Sequence, residues 1–417
     1  MPRPPHPASA PRERELSPRV RRAAAAFTSF VALAATSLAA GPVAADSFAG
    51  PCALERTSAH HSEGLDTWNS AYPKPVDRLD AVMVFLSFPD SEPLATPGQL
   101  AADHFPATSE FFHRASYGRF ALTVHPGKHW IEMPEPSSSY EIQRDWPTQK
   151  RGAYLRDALA AADPSVDFSR YDVVYFVADP DAPGVDSDAT KVVNFDRPLR
   201  ADGTDLRRIV TVFERHPPDR NVLAHETGHV FDLPDLYHRP SDGKGDWDTH
   251  VGDWDVMGSQ FGLAPDLFGW HKWKLGWLDE QQVTCVQGTG DSLLSLEPIA
   301  AAPERGQLGG KRLAVVRTGR DSAVAIEARG RTGNDRETCT EGVLIYRVHT
   351  DSASGHGPVE VVDAHPDSGA CWDSSVYPEL ADAPVQVGES RTVPGERIRV
   401  QVVSQSKTGT WTVKITT

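Results

Sequence analysis

The sequence is short of positive charge, which excludes two classes of partner. Lys and Arg number 42 against 57 Asp and Glu, a formal net charge of −15. Without residues 1–45 the balance is 36 basic to 55 acidic residues, or −19. So acidic a chain repels nucleic acid and anionic membranes, and we expect it to bind neither. Core-forming residues are not scarce, because 39% of the chain is hydrophobic, and this argues against wholesale disorder.

The N-terminal segment has the composition of an export signal. Six arginines in the first 22 residues precede the uncharged stretch AAAAFTSFVALAATSLAAGPVAA (23–45), typical of a secretory signal peptide over 1–45. Val43 and Ala45 suit a signal peptidase site, which predicts a mature start near Asp46. The alternative is a membrane anchor, but the run is short for spanning and rich in weakly hydrophobic Ala. We expect a secreted, extracellular protein with no stable membrane association after signal cleavage.

The four cysteines of an exported chain are expected to form two disulfides, for which three pairings exist. We favour Cys339 with Cys371, because both lie in one predicted domain. Cys52 with Cys285 would then tie the mature N-terminus to the middle of the chain. In a rival interpretation Cys52 caps the metal of a latent form.

The 417 residues exceed what one hydrophobic core usually organises, so we expect about two domains. Residues 46–78 are polar and are expected to form an N-terminal arm or short leader. Strand and helix patterns alternate over 79–281 and predict an α/β (α+β) catalytic domain, with strands at 79–88, 171–179 and 209–213 and helices at 105–117 and 149–162. Residues 282–417 hold short strands between Gly, Asp, Ser and Pro clusters and predict a β-sandwich-like C-terminal domain.

The segment NVLAHETGHVFDLPDLY (221–237) carries the chemistry. His225 and His229 stand four residues apart, which places both imidazoles on one helical face, where they can ligate one metal. Glu226 can reach water activated by that metal without ligating it, as a general base must. The helix is expected to begin near Asp219 as N-cap and to end before Pro234.

A catalytic zinc site usually takes a third protein ligand. Asp235 is our candidate, because it follows His229 by six residues, where a turn can return a side chain to the metal. His238 is the competing ligand. Tyr237 is a weaker candidate for stabilising an oxyanion.

Met257 follows Asp235 by 22 residues in the segment GDWDVMGSQFG. It is similar to the structural methionine turn beneath the metal of metzincin peptidases, although plain core packing explains a buried Met equally well. For the aromatic segment APDLFGWHKWKLGWL (264–278) we expect a helix packed into the core.

Together these residues resemble the immune inhibitor A family of secreted bacterial metallopeptidases. That resemblance implies a metzincin-like zinc endopeptidase, often calcium-stabilised, with His225, His229 and Asp235 as ligands and Glu226 as catalyst. It covers roughly residues 79–278 and rests on HETGHVFDLPD (225–235), WDVM (254–257), PATSEFFHRASYGRF (106–120), VDFSRYDVVYFVAD (166–179) and WHKWKLGWL (270–278). The family pattern usually has Gly where this chain has Asp232. Because Asp tolerates a left-handed backbone better than most residues, we expect the turn to survive.

Zinc is therefore the expected cofactor, and calcium is a second candidate. The loops DPDAPGVDSDAT (179–190) and DGKGDWDTHVGDWD (242–255) are rich in the oxygen ligands that calcium prefers, although acidic loops are more often solvated turns.

The function that follows is a monomeric, secreted zinc endopeptidase acting on extracellular protein or peptide substrates. We expect the substrate to lie extended against a strand, either 209–213 or a neighbour. One rival is a secreted binding protein with a structural zinc and a ligand-binding β-domain. The other is a metal hydrolase acting on something other than peptides.

Overall fold

The computed structural model describes residues 50–240, 245–303 and 309–417, apart from the side chain of Asp196. The predicted signal peptide and mature start lie outside these residues. None of the helices in the described ranges is long and apolar enough to cross a membrane.

A five-stranded sheet forms the centre of the N-terminal half, in the order β2-β1-β3-β5-β4. Four strands are parallel: β1 (Asp77–Ser87), β2 (Phe120–Glu132), β3 (Val173–Ala178) and β5 (Thr204–Val212). The edge strand β4 (Lys191–Ala201) runs antiparallel to β5. Because β5 lies inside the sheet, the predicted strand 209–213 cannot pair with a substrate. Its neighbour β4 has the outer edge.

Residues of β1 alternate between two hydrophobic cores, one on each face of the sheet. Met83 and Phe85 face the first core, whereas Val82 and Val84 face the second. The long helix α3 (Thr148–Ala162) covers the second core. The first core holds the other helices of this half: α1 (Pro97–His104), α2 (Ala107–Ala115), α4 (Val222–Val230) and α5 (Gly269–Lys274).

The C-terminal half consists of two further sheets, as its strand pattern predicts. One has the order β11-β10-β9-β8-β6 and the other the order β12-β13-β14-β7. The strands are β6 (Val283–Cys285), β7 (Asp291–Leu296), β8 (Leu313–Arg317), β9 (Ser322–Arg329), β10 (Gly342–His349), β11 (Val359–Val361), β12 (Ser390–Thr392), β13 (Arg399–Gln405) and β14 (Trp411–Thr416), with a short helix α6 (Pro378–Ala381).

The middle sheet is buried on both faces and joins the two halves. Val324 and Ile326 of β9 pack against the third sheet, in a core with Val400 and Val413. Alternate β9 residues such as Ala325 belong instead to the first core. The described chain is accordingly one compact unit, with a core that continues across the predicted boundary at 281. The architecture is mixed α and β with three sheets.

Both favoured disulfides are present. Cys339 pairs with Cys371 and Cys52 with Cys285, with Cα atoms 6.2 and 5.6 Å apart. These separations lie within the usual range. The bond to Cys285 leaves Cys52 no thiol with which to cap a metal.

Three helix predictions differ from the structure at their ends. The predicted helix 105–117 spans only Ala107–Ala115 and follows a separate helix that ends at His104. Helix α4, which carries the predicted ligands, begins at Val222, and Asn221 in a left-handed conformation precedes it. Asp219 is not the cap, because its carboxylate accepts a hydrogen bond from Gln260 Nε2 at 3.0 Å. The aromatic helix spans only Gly269–Lys274, although its side chains are buried as predicted.

We expect the Cys339→Ala/Cys371→Ala variant to lose about 3 to 4 kcal/mol of unfolding free energy, because the bond closes a loop of some 30 residues in the unfolded chain. Urea unfolding measures this, with Ser374→Ala as a control at a neighbouring exposed position. Equal midpoints and slopes for the two variants would contradict the expectation.

Candidate metal centre

Helix α4 presents two histidines to the same point, as their spacing predicts. The rings of His225 and His229 lie with centroids 4.9 Å apart on a helix whose nine residues are all buried. Beneath them is Met257, which is fully buried. A Cβ on Gly228 would come within 2.3 Å of Met257 Sδ, so this position needs glycine for the helix to rest on the methionine turn.

Hydrogen bonds to the backbone set the tautomer of each imidazole. His225 Nδ1 lies 2.8 Å from the carbonyl oxygen of Val256, and His229 Nδ1 lies 2.8 Å from that of Leu233. A carbonyl oxygen can only accept, so each Nδ1 donates. Each Nε2 therefore keeps its lone pair for a metal, the usual arrangement of a ligating histidine.

Asp235 supplies a third ligand atom. Its Oδ1 lies 2.9 Å from His229 Nε2 and 3.4 Å from His225 Nε2. That oxygen is buried and has no hydrogen-bond partner among the described residues. Oδ2 accepts a hydrogen bond from Ser354 Oγ at 2.8 Å, and this hydroxyl also accepts from the backbone N–H of Asp235. Ser354 thus holds the carboxylate from the C-terminal half.

These three residues fit one zinc ion. Their ligand atoms all lie within 4.8 Å of one another. Two imidazole nitrogens and a carboxylate oxygen form a donor set that suits zinc, whereas calcium prefers oxygens alone. The unpartnered Oδ1 is the atom that a metal would satisfy.

Glu226 lies beside the ligands but outside their group. Its Oε2 accepts a hydrogen bond from the backbone N–H of Val192, at the edge of β4, over 2.7 Å. Burial raises the pKa of its carboxyl. Glu226 lines two adjoining cavities of about 500 and 290 Å³, the smaller of which also reaches His229 and Asp235. The carboxylate is therefore positioned to exchange protons with a molecule in the cleft.

The turn after α4 has the left-handed backbone expected at Asp232, with φ of +63°. Its buried carboxylate pairs with two residues of the N-terminal arm. One is the guanidinium of Arg56, and the other is His61, whose Nδ1 lies 2.9 Å from Asp232 Oδ1. Sequence reasoning assigned this arm no role beyond Cys52. The adjacent histidines His60 and His61 in a polar segment were the feature of the sequence that could have indicated a role for the arm.

A buried polar chain supports the methionine turn. Asp255 Oδ1 accepts the backbone N–H of Met257, and its Oδ2 lies 2.8 Å from His271 Nδ1. On the other side, His271 Nε2 lies 2.7 Å from Oε1 of Glu63 in the arm. The sequence prediction also missed Asp255, Glu63 and His271, although Asp255 lies within the WDVM segment that carries the resemblance.

The remaining predictions concern His238 as an alternative ligand, Tyr237, and calcium in the two acidic loops. His238 is not in the cluster, and its ring packs edge-on against His250 at 5.2 Å. The ring of Tyr237 stacks on that of His225 at 6.2 Å, and its role with an oxyanion stays a prediction. Calcium also stays a prediction, because the metal-like groupings within the described ranges do not include the loops 179–190 and 242–255. Residues 242–244 lie outside those ranges.

We expect Asp235→Ala to lower the bound zinc of purified protein to a small fraction of the wild-type content, because one of three ligands is lost. His238→Ala should retain the wild-type content. Elemental analysis after dialysis measures both. Zinc retained by Asp235→Ala and lost from His238→Ala would transfer the third-ligand assignment to His238.

A pH dependence of stability is expected from His271. Burial alone lowers the pKa of its imidazole, but Glu63 and Asp255 outweigh this effect and raise it to about 9. Because the folded pKa exceeds the unfolded value of about 6.5, the stabilising charge is fully present below that pH and is lost as pH rises towards 9. The stability gap between wild type and His271→Gln should narrow from pH 6 to pH 9 in urea unfolding. A constant gap would refute this.

Comparisons with known proteins add little to this geometry. No protein-family model matches the chain, and no curated protein sequence matches it. Among solved structures, the chain aligns with two crystal forms of wild-type OgpA from Akkermansia muciniphila, each at 11% sequence identity. The alignments cover 71% of this chain and 94% and 95% of those chains, with TM-scores of 0.26 and 0.27. At such scores the likeness carries no inference about fold or activity.

Proposed function

We propose that the protein is a secreted, metzincin-like zinc endopeptidase related to the immune inhibitor A family. One observation supports this most strongly. Three convergent ligand atoms, from His225, His229 and Asp235, share a cleft with the buried, non-ligating carboxylate of Glu226. A purely structural zinc site usually takes four protein ligands and needs no base. This arrangement therefore favours hydrolysis over a structural zinc in a binding protein.

The residues divide the chemistry between them. Zinc, when held by the triad, supplies Lewis acidity that polarises a carbonyl and makes water more acidic. Glu226 takes a proton from the attacking water and passes it to the leaving amine. Its position in the cleft, beside the ligands but outside their group, allows the carboxylate both to accept and to return a proton. The hydrogen bond from Val192 orients the carboxylate from the β4 edge.

The β4 edge also suits an extended peptide. Lys191, Val192 and Asn194 of this strand line the smaller cavity together with the metal-binding triad. The opposite edge of β4 is already paired with β5. A substrate strand added at the outer edge would gain main-chain hydrogen bonds and place its peptide bonds beside Glu226.

Secretion is part of the proposal. The two disulfides are typical of a protein from an oxidising compartment. The export-like composition of residues 1–45 supports the same location.

The activity test compares wild type with Glu226→Gln on casein and gelatin. Gln keeps the shape and the acceptor for the Val192 N–H but cannot take a proton. We expect cleavage to fall roughly 100- to 10,000-fold, the usual loss when a general base is removed. Zinc content should be equal in the two proteins, because Glu226 is not a ligand.

Equal zinc with no cleavage by wild type, even on a mixture of many peptides, would favour the binding-protein alternative. Cleavage that survives in Glu226→Gln would remove this residue as the base. Purified wild type without zinc would overturn the metal assignment itself.

A further inference from the structure

The N-terminal arm, whose described part before β1 is residues 50–76, is built into the body of the protein. The Cys52–Cys285 disulfide fixes its start, and Leu54 and Leu65 lie in the first hydrophobic core. Two core tryptophans donate indole N–H groups to its backbone: Trp270 to Glu63 O at 3.0 Å, and Trp277 to Pro75 O at 2.7 Å. These contacts are those of a permanent structural element.

The arm provides the partners of one buried charge. The side chain of Asp232 is only 1% exposed, and Asp232 lies between the ligands His229 and Asp235. A buried carboxylate without partners is strongly destabilising. Arg56 and His61 satisfy both of its oxygens, and both come from the arm.

From Asp232 the contacts lead directly to a metal ligand. The backbone N–H of Asp232 bonds the carbonyl of His229 at 3.2 Å, and the next residue, Leu233, accepts the hydrogen bond from His229 Nδ1. The ring of His61 also stacks on that of His229, with centroids 5.7 Å apart. Any displacement of this turn therefore moves the atoms that orient the His229 imidazole.

Lys274 of helix α5 also joins the arm to the turn at Asp232. Its Nζ donates to the carbonyl of Asp232 at 2.7 Å and to that of Ser62 in the arm at 2.8 Å. Arm, turn and helix α5 thus share one buried set of hydrogen bonds.

We propose that Arg56 and His61 are positioning residues of the metal centre. They act through Asp232 on His229, so that the arm is a retained part of the working protein and not a leader removed for activation. This inference rests on the proposed zinc site, but it does not require the peptidase activity.

The test measures zinc dissociation constants by competition with a chromophoric chelator. Arg56→Ala and His61→Phe should each weaken zinc binding about 10- to 100-fold, the usual effect of losing a partner that orients a ligand. Phe at position 61 keeps a ring against His229 and removes only the hydrogen bond. Arg78→Ala is the matched control, because it also removes an arginine from an aspartate ion pair, with Asp80, but at an exposed site. It should leave zinc affinity unchanged.

Rescue separates positioning from general stability. Asp232→Gly suits the left-handed backbone and removes the buried charge, so it should retain near wild-type zinc affinity. In that background Arg56→Ala and His61→Phe should change zinc affinity less than twofold, which a double-mutant cycle measures directly. The absorption bands of bound Co²⁺ provide a second readout, which should shift in Arg56→Ala and return in Arg56→Ala/Asp232→Gly.

Each result of these measurements supports or overturns the proposal. Zinc affinity and Co²⁺ bands like wild type in both arm variants would overturn the proposal, as would equal losses with Asp232 or Gly at position 232. If Arg56→Ala does not fold, zinc affinity is compared instead in Arg56→Lys, and the double-mutant cycle is measured with His61→Phe and Asp232→Gly. Mature protein whose N-terminus, determined by sequencing, lies beyond His61 while zinc remains bound would also refute it. Wild type without zinc affinity would instead refute the proposed function.

Discussion

The hydrogen bond from His225 Nδ1 to the carbonyl of Val256 joins helix α4 to the turn that contains Met257. The orientation of the candidate ligand His225 depends on it. Asp255 fixes that carbonyl from below, because its carboxylate binds the N–H groups of Met257 and Phe268 as well as the ring of His271. Asp255 itself has φ of +105°, a conformation that needs such support. The ligand geometry is therefore held by a buried polar frame and by apolar packing around it.

The local part of the site could be predicted from the sequence. Spacing on a helix decides which side chains share a face, and this predicted His225 and His229. Asp235 was predicted from its position in the turn after the helix, and the structure brings all three together. Apolar runs and alternation identified most strands for the same reason. The residues of the site that the sequence did not predict make contacts with residues distant in sequence. Arg56 reaches Asp232 over 176 positions, and Ser354 reaches Asp235 over 119, which no local pattern encodes.

Strand order and helix caps explain the other differences. A run such as 209–213 has the same composition whether it lies inside a sheet or at its edge, so only the assembled order shows that β4 faces the cleft. Asp219 has the chemistry of an N-cap, yet its side chain binds Gln260 and the helix begins three residues later. In both cases tertiary contacts outweighed the local preference. The predicted domain boundary at residue 281 marks a change in the sequence pattern, but the first hydrophobic core continues across it.

The hydrogen bonds between Ser354 and Asp235 have a consequence for how the centre forms. Segments near residues 56–63, 225–235, 255–257 and 354 must all meet before the ligands take their final places. The centre therefore does not belong to one local segment, because four segments distant in sequence hold its ligands in place. Removing residues 56–63 or the segment around Ser354 would remove a contact to it.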